Sequence, residues 1–146
     1  MSLAMRVVLD TDVVVAGLRS RRGASRAWLR AVLRREVEIV LSVPLALQHE
    51  AVLLRPATLT AVRLTRPEVG RFLDGLCGVG RLVEISFLSR PLLRDPDDEM
   101  VLEAAMAGCA DRLLTFNLRH FRGCERVGVK AERPGPAWQA WKGRIR

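Results

Sequence analysis

Six carboxylates in this chain are candidates for chemistry: Asp10, Asp12, Glu50, Asp95, Asp97 and Asp98. Asp10 ends the short apolar run Arg6-Val7-Val8-Leu9. That run reads as a strand buried on both faces, so its terminal acid would be costly unless paired or hydrogen-bonded. Asp95, Asp97 and Asp98 crowd into Arg94-Asp95-Pro96-Asp97-Asp98. A hard divalent cation is what such acids serve best. Magnesium takes oxygen ligands and keeps several waters, so a few carboxylates suffice. Held beside a phosphodiester, such an ion polarises the phosphorus–oxygen bond and lowers the pKa of a bound water. Most of these acids also have a plain structural reading. Asp98 can cap a helix or sit in its first turn. Asp95 and Asp97 flank Pro96 as ordinary turn residues. Glu50, between His49 and Ala51, can be a solvated helix position.

The elements that must position these acids follow from periodicity and punctuation. Strands are expected at 6–10, Val37 to Leu41, Leu82 to Ile85, Arg112 to Thr115 and Val127 to Ala131. Val13 to Leu18 continues apolar after Asp10 until Arg19-Ser20-Arg21-Arg22-Gly23 breaks it. Ser25 is expected to cap a helix running to about Arg35. Ser42-Val43-Pro44 opens a second helix, which carries Glu50 and stops at Pro56. Thr65-Arg66-Pro67-Glu68 opens a third, ending around Gly78 to Gly80. Asp98 begins an alanine-rich helix that Gly108 ends, and Arg133-Pro134-Gly135-Pro136 leads into a short terminal helix. Buried short strands alternating with helices predict a three-layer α/β/α fold with a mainly parallel sheet. Ligands in such sheets bind at the carboxyl ends of the strands. Asp10 and Thr115 fall at those ends, with Asp98 and Asn117 just beyond.

The chain has 146 residues, the size of one compact domain, and residues 5–146 are expected to form it. Residues 1–4 precede a second methionine, Met5, and are set aside as an expression scar. The composition is 49% hydrophobic, enough for a core without disulfides. Formal charge is +8, and the only lysines are Lys130 and Lys142. An arginine-rich surface favours a polyanionic partner, although GC-rich coding also raises arginine. Cys77, Cys109 and Cys124 show no metal-ligand spacing, which fits a reducing, cytoplasmic setting. No signal peptide and no membrane span are expected.

Four segments in order resemble the PIN domain over residues 5 to 136. They are Val8-Leu9-Asp10-Thr11-Asp12-Val13-Val14-Val15, the helix with Glu50, Arg94-Asp95-Pro96-Asp97-Asp98, and Leu113-Leu114-Thr115-Phe116-Asn117. The nearest resemblance is to PIN-family toxins of toxin–antitoxin systems. It implies a metal-dependent endoribonuclease using Mg2+ or Mn2+, with Asp10, Glu50 and Asp98 as metal-binding acids. Thr115 is implied as a strand-end hydroxyl that orients an acid or a water. Asn117 takes the place of a fourth acid, and Asp111 is structural. The resemblance also implies an RNA substrate, a cognate antitoxin protein and a homodimer formed through helices between Leu45 and Leu76.

The chain departs from that pattern at Asp12, where Asn is usual, and at Asn117, where Asp is common. Asp12 either replaces the missing acid at the metal or hydrogen-bonds nearby backbone as Asn would. His120 lies where Asp often stands, and reads as a surface residue or a ligand. Arg94 and Arg119, with Arg19, Arg21 and Arg22, are placed to grip phosphates or simply to be solvated. Two other functions fit part of the sequence. One is a PIN fold with a weakened metal site that binds RNA or protein without cutting. The other is a haloacid-dehalogenase-type phosphatase, which Asp10-Thr11-Asp12-Val13-Val14 resembles. That family needs a lysine or arginine before its late acids; no lysine lies between Asp12 and Asp98, and an arginine would have to substitute.

Overall fold

A computed structural model describes residues 5–85 and 91–144. The segment set aside at 1–4 lies outside them. Five strands are present, β1 Arg6–Leu9, β2 Glu38–Leu41, β3 Arg81–Leu82, β4 Arg112–Leu114 and β5 Ala131–Glu132. The helices are α1 Thr11–Arg19, α2 Ala24–Leu33, α3 Val43–Leu53, α4 Pro56–Val62, α5 Arg66–Val79, α6 Pro96–Ala107 and α7 Pro134–Arg144. The strands pair in parallel throughout, in the order β3-β2-β1-β4-β5, and helices flank the sheet in a three-layer α/β/α arrangement. Val7, Val8, Leu9, Ile39, Val40, Leu113 and Leu114 are fully buried, as expected of strands covered on both faces.

The topology decides where a site can lie. The chain steps outward from β1 through β2 to β3, then returns to the opposite side of β1 for β4. That reversal opens a crevice at the carboxyl ends of β1 and β4. Asp10 follows the one strand, and Thr115 follows the other.

Several boundaries differ from the sequence expectation. The apolar stretch after Asp10 is helix α1, with Asp10 as its N-cap. Gly23, not Ser25, precedes α2, and Ser25 is buried in its first turn. Pro56 does not only stop α3. It occupies the first turn of α4, where its missing N–H costs nothing. The helix after the acidic turn starts at Pro96 with Asp95 as its cap. The chain around Val127 forms a short 3-10 turn, Cys124–Val127, and the last strand follows at Ala131–Glu132. Gly108 caps α6, yet the left-handed position there falls on Cys109, at φ 50°. What requires glycine at 108 is closeness, since a Cβ would run into the Val40 side chain of β2.

Helix α7 is held by aromatic packing. The Trp28 indole N–H donates to the Pro134 carbonyl at 2.9 Å, and Trp28, Trp138 and Trp141 lie with ring centroids 5.1 to 5.6 Å apart. This seats α7 on α2.

Candidate functional site

Asp10 stands at the crevice between β1 and β4. Its backbone N–H donates to the Leu114 carbonyl at 2.9 Å, which ties the strand end to β4. Its Oδ1 accepts from the Thr11 backbone at 2.9 Å, and its Oδ2 accepts from the Thr115 hydroxyl at 2.8 Å. The same Thr115 oxygen accepts from the Asn117 backbone at 2.9 Å, so one buried hydroxyl couples the acid to the following loop. Asp10 is buried, and burial raises its pKa despite these two donors.

Asp12 bridges the other way. Its Oδ2 accepts from the Phe116 backbone N–H and from the Asn117 side-chain amide, both at 3.1 Å. Its Oδ1 is buried without a partner. Burial, followed by the nearby Asp10 charge, pushes its pKa up to about 6. One oxygen therefore braces the loop after β4, and the other is a buried acceptor without a partner beside Asp10.

Asp98 enters from the first turn of α6. Burial and the charges of Asp10 and Asp95 raise its pKa. His120 Nδ1 lies 3.2 Å from Asp98 Oδ2, which makes this histidine a neighbour of the acids rather than a free surface residue. Asp95 accepts from the Asp97 backbone at 2.8 Å as the helix cap. Glu99, which the sequence reading passed over, turns inward and accepts from the Leu92 and Leu93 backbone at 3.2 and 2.8 Å. Asp111 accepts from the Arg6 backbone at 2.8 Å at the opposite end of β1, a structural contact.

Helix α3 does not bring Glu50 to this group. Leu45, His49 and Leu53 form its buried stripe. Val52 lines a cavity of about 370 Å³ together with Thr11, Asp12, Val15, Ala16, Arg19 and Phe116. Two positions along a helix turn by about 200°, so Glu50 points away from the side that Val52 presents. It is exposed, on the same outer face as Val43 and Leu47. Its charge acts on Cys77 of α5 instead, behind burial and Asp74 in pushing that thiol up. The residue one turn before Val52 is Gln48, half-buried and on the site's side of the helix. Among the described residues no three of His, Cys, Asp and Glu are grouped to hold a metal. The expected set of Asp10, Glu50 and Asp98 thus reduces here to Asp10 and Asp98 with Asp12 beside them. Helical spacing along α3 was the signal that could have favoured Gln48, but only once the buried stripe of that helix is known.

His49 locks α3 to the start of α1. It is fully buried, its Nδ1 is 2.7 Å from the Thr11 hydroxyl, and its Nε2 has no partner. Burial pulls its pKa down to about 4, so the ring is neutral at pH 7. The folded pKa lies below the unfolded value, so this stability is full above about pH 6.5 and is lost as pH falls through 4. A shift of that size corresponds to about 3 kcal/mol. The acids of the crevice shift in the opposite sense and cancel in a comparison with His49→Gln. We expect wild-type melting temperature to drop more steeply than that of His49→Gln between pH 6.5 and 4. Calorimetric profiles that stay parallel through this window would show that the ring protonates at no cost to the fold.

The donor set fits a hard divalent ion. Asp10, Asp12 and Asp98 offer carboxylate oxygens, one of them buried and without a partner, and magnesium needs just one or two carboxylates beside its waters. A family model described as PIN domain matches residues 6–119 of the chain, a span that contains Asp10, Asp12, Gln48, Glu50, Asp98, Thr115 and Asn117. No curated protein matches the chain. PIN domains are generally metal-dependent nucleases, and those nucleases act on RNA. The crevice at the reversal of the sheet, the paired acids within it and this match agree, and the chain belongs to the PIN-domain family.

Proposed function

We propose that this chain is an endoribonuclease that hydrolyses RNA phosphodiester bonds with Mg2+ or Mn2+, and the toxin of a toxin–antitoxin pair. The observation that carries the reading is the junction of Asp10, Asp12 and Asp98 at the β1–β4 crevice of a PIN-family chain. Asp10, Asp98 and the free oxygen of Asp12 are the groups that would hold the ion. When bound, it supplies Lewis acidity to the scissile phosphate and a water of lowered pKa. Thr115 and the Thr11 backbone fix the Asp10 carboxylate, and Asn117 fixes Asp12. Arg94 and Arg119 are exposed beside the acids and suit phosphates flanking the cut. A cognate antitoxin and a cytoplasmic setting follow from the toxin reading. Val43 and Leu47, 56% and 57% exposed and one turn apart on α3, support a homodimer through that helix.

A second reading has its own support. With Gln48 rather than an acid on the site's side of α3, the chain binds RNA without cutting it. The phosphatase reading loses its ground, because the family match spans both acidic motifs on which it rested. An end-labelled unstructured RNA, incubated with Mg2+, Mn2+ or EDTA, separates these functions. Metal-dependent fragments support the nuclease. Retention of intact RNA on a filter supports the binding module, and hydrolysis of p-nitrophenyl phosphate in place of RNA would overturn both.

A further inference from the structure

The three tryptophans of the chain gather at one place, between α2 and α7, and that place carries unpaired positive charge. A cleft of about 360 Å³ opens there, bordered by Arg30, Arg34, Trp138, Trp141 and Lys142, with Glu36 the only acid among the described residues that line it. We propose that this cleft is a second RNA-binding site, which stacks a base of single-stranded RNA on Trp138 and holds adjacent phosphates with Arg30, Arg34 and Lys142. The choice of RNA as the polymer rests on the nuclease reading.

The aromatic cluster has a structural duty that Trp28 and Trp141 already fulfil. Trp28 is fully buried, and Trp141 is 9% exposed. Trp138 is only half-buried. Trp28 meets it at 80° and Trp141 at 46°, so neither ring stacks flat upon it. A base stacked on an aromatic ring contributes about 1–3 kcal/mol, whatever its identity. The cations are equally uncommitted. Among the described residues Arg30, Arg34 and Lys142 enter no ion pair, while Arg6, Arg81, Arg112 and Lys130 all do. Arg30 and Arg34 stand one turn apart, so both reach the same rim. Three cations against one acid suit a chain of phosphates, and the ring surface suits an unpaired base. An acidic peptide would use the cations and leave the ring idle.

The position adds purpose. Helix α2 runs from the end of α1 back toward the start of β2, so its last turn, with Arg30 and Arg34, lies near the amino ends of the strands. The acids lie at the carboxyl ends. An RNA contacting both must span the height of the sheet, which a dinucleotide cannot do. The structure thereby favours long single-stranded substrates over short ones.

Tryptophan fluorescence tests this directly, because the chain has no tyrosine, Trp138 and Trp141 border the cleft, and the third tryptophan, Trp28, packs against both. The Asp10→Asn chain in EDTA is titrated with an unstructured RNA of 20 nucleotides and with a dinucleotide, and binding is followed in parallel by anisotropy of an RNA label. The 20-mer is expected to quench the emission saturably. Arg30→Gln with Arg34→Gln should weaken its binding about tenfold and lower the slope of log K against log salt by about 1.4. Trp138→Phe should retain affinity and Trp138→Leu should lose about tenfold, a contrast that mere loss of packing would not give. Cleavage of the dinucleotide by the chain with Asp10 intact should be the same with and without the arginine changes. Anisotropy showing tight 20-mer binding with no quenching, or with no effect of the arginine pair, overturns the proposal and leaves the nuclease reading standing. Equal competition by a poly-glutamate of 20 residues would also overturn it. Quenching without any cleavage in the metal assay would instead sink the nuclease reading and keep the cleft.

Discussion

Asp10→Asn should lower RNA cleavage at least about a thousandfold while raising the melting temperature of the metal-free chain. The first effect follows from what the carboxylate alone provides. It is the acid fixed by both the Thr11 backbone and the Thr115 hydroxyl, and an amide in the same place keeps the shape without the charge. Loss of about 4 kcal/mol of charge stabilisation at the phosphate corresponds to that factor. The second effect follows from burial and repulsion. Asp10 is buried with Asp98 and Asp12 near it, and all three have raised pKa values. A raised folded pKa means that the acid favours folding at low pH, where it is protonated, and opposes folding once it ionises. The variant's advantage should therefore be present at pH 7.5 and shrink toward pH 4 as Asp10 takes up its proton. Melting curves in EDTA at the two pH values, set beside cleavage rates, check it. A clear drop in melting temperature at pH 7.5 would identify Asp10 as an acid that the fold itself requires.

The layered fold and the strand-end acids were legible because their signals are local. A run such as Val7-Val8-Leu9, short and β-branched, reads as a strand buried on both faces, and an acid at its end announces itself. The Arg94-Asp95-Pro96-Asp97-Asp98 segment likewise carries its own turn and cap. The phase of α3 was not legible. Val43 and Leu47 are apolar and exposed, whereas Leu45 and Leu53 are apolar and buried, so hydrophobicity does not say which side faces the sheet. That ambiguity is what allowed Glu50 to stand in for a residue on the other flank. Helix α4 was hidden for a related reason, since Pro56 both ends one helix and begins the next. The pairing of Asp12 with Asn117 spans 105 positions and exists only because β1 and β4 are neighbours. The exchange of charges between those two positions was visible in the sequence, but the geometry that joins them was not.

The phase of α3 leads to the second large effect, and it runs toward gain. Gln48→Glu should tighten Mn2+ binding about tenfold and speed RNA cleavage, whereas Glu50→Gln should change neither. Gln48 lies one turn from Val52, and Val52 lines the cavity that Asp12 and Thr11 also line. A carboxylate there adds an anion on the flank where Asp12 lies, with Asp10 and Asp98 near it, and attraction to a divalent ion is strong at short range even at an effective dielectric near 20. The same charge must repel the acids when no ion is present. The Gln48→Glu chain is therefore expected to melt lower than wild type in EDTA and to gain more from Mn2+. At a fixed saturating concentration, tenfold tighter binding adds about 1.4 kcal/mol of ligand-linked stability. Crossing of the two melting temperatures between EDTA and Mn2+ is a signature that loss of packing cannot imitate, because packing loss lowers both. Calorimetric titration and melting curves on the two single variants decide the matter. If Glu50→Gln weakens metal binding and Gln48→Glu does not strengthen it, then α3 presents its other flank to the ion, and Glu50 belongs to the metal site after all.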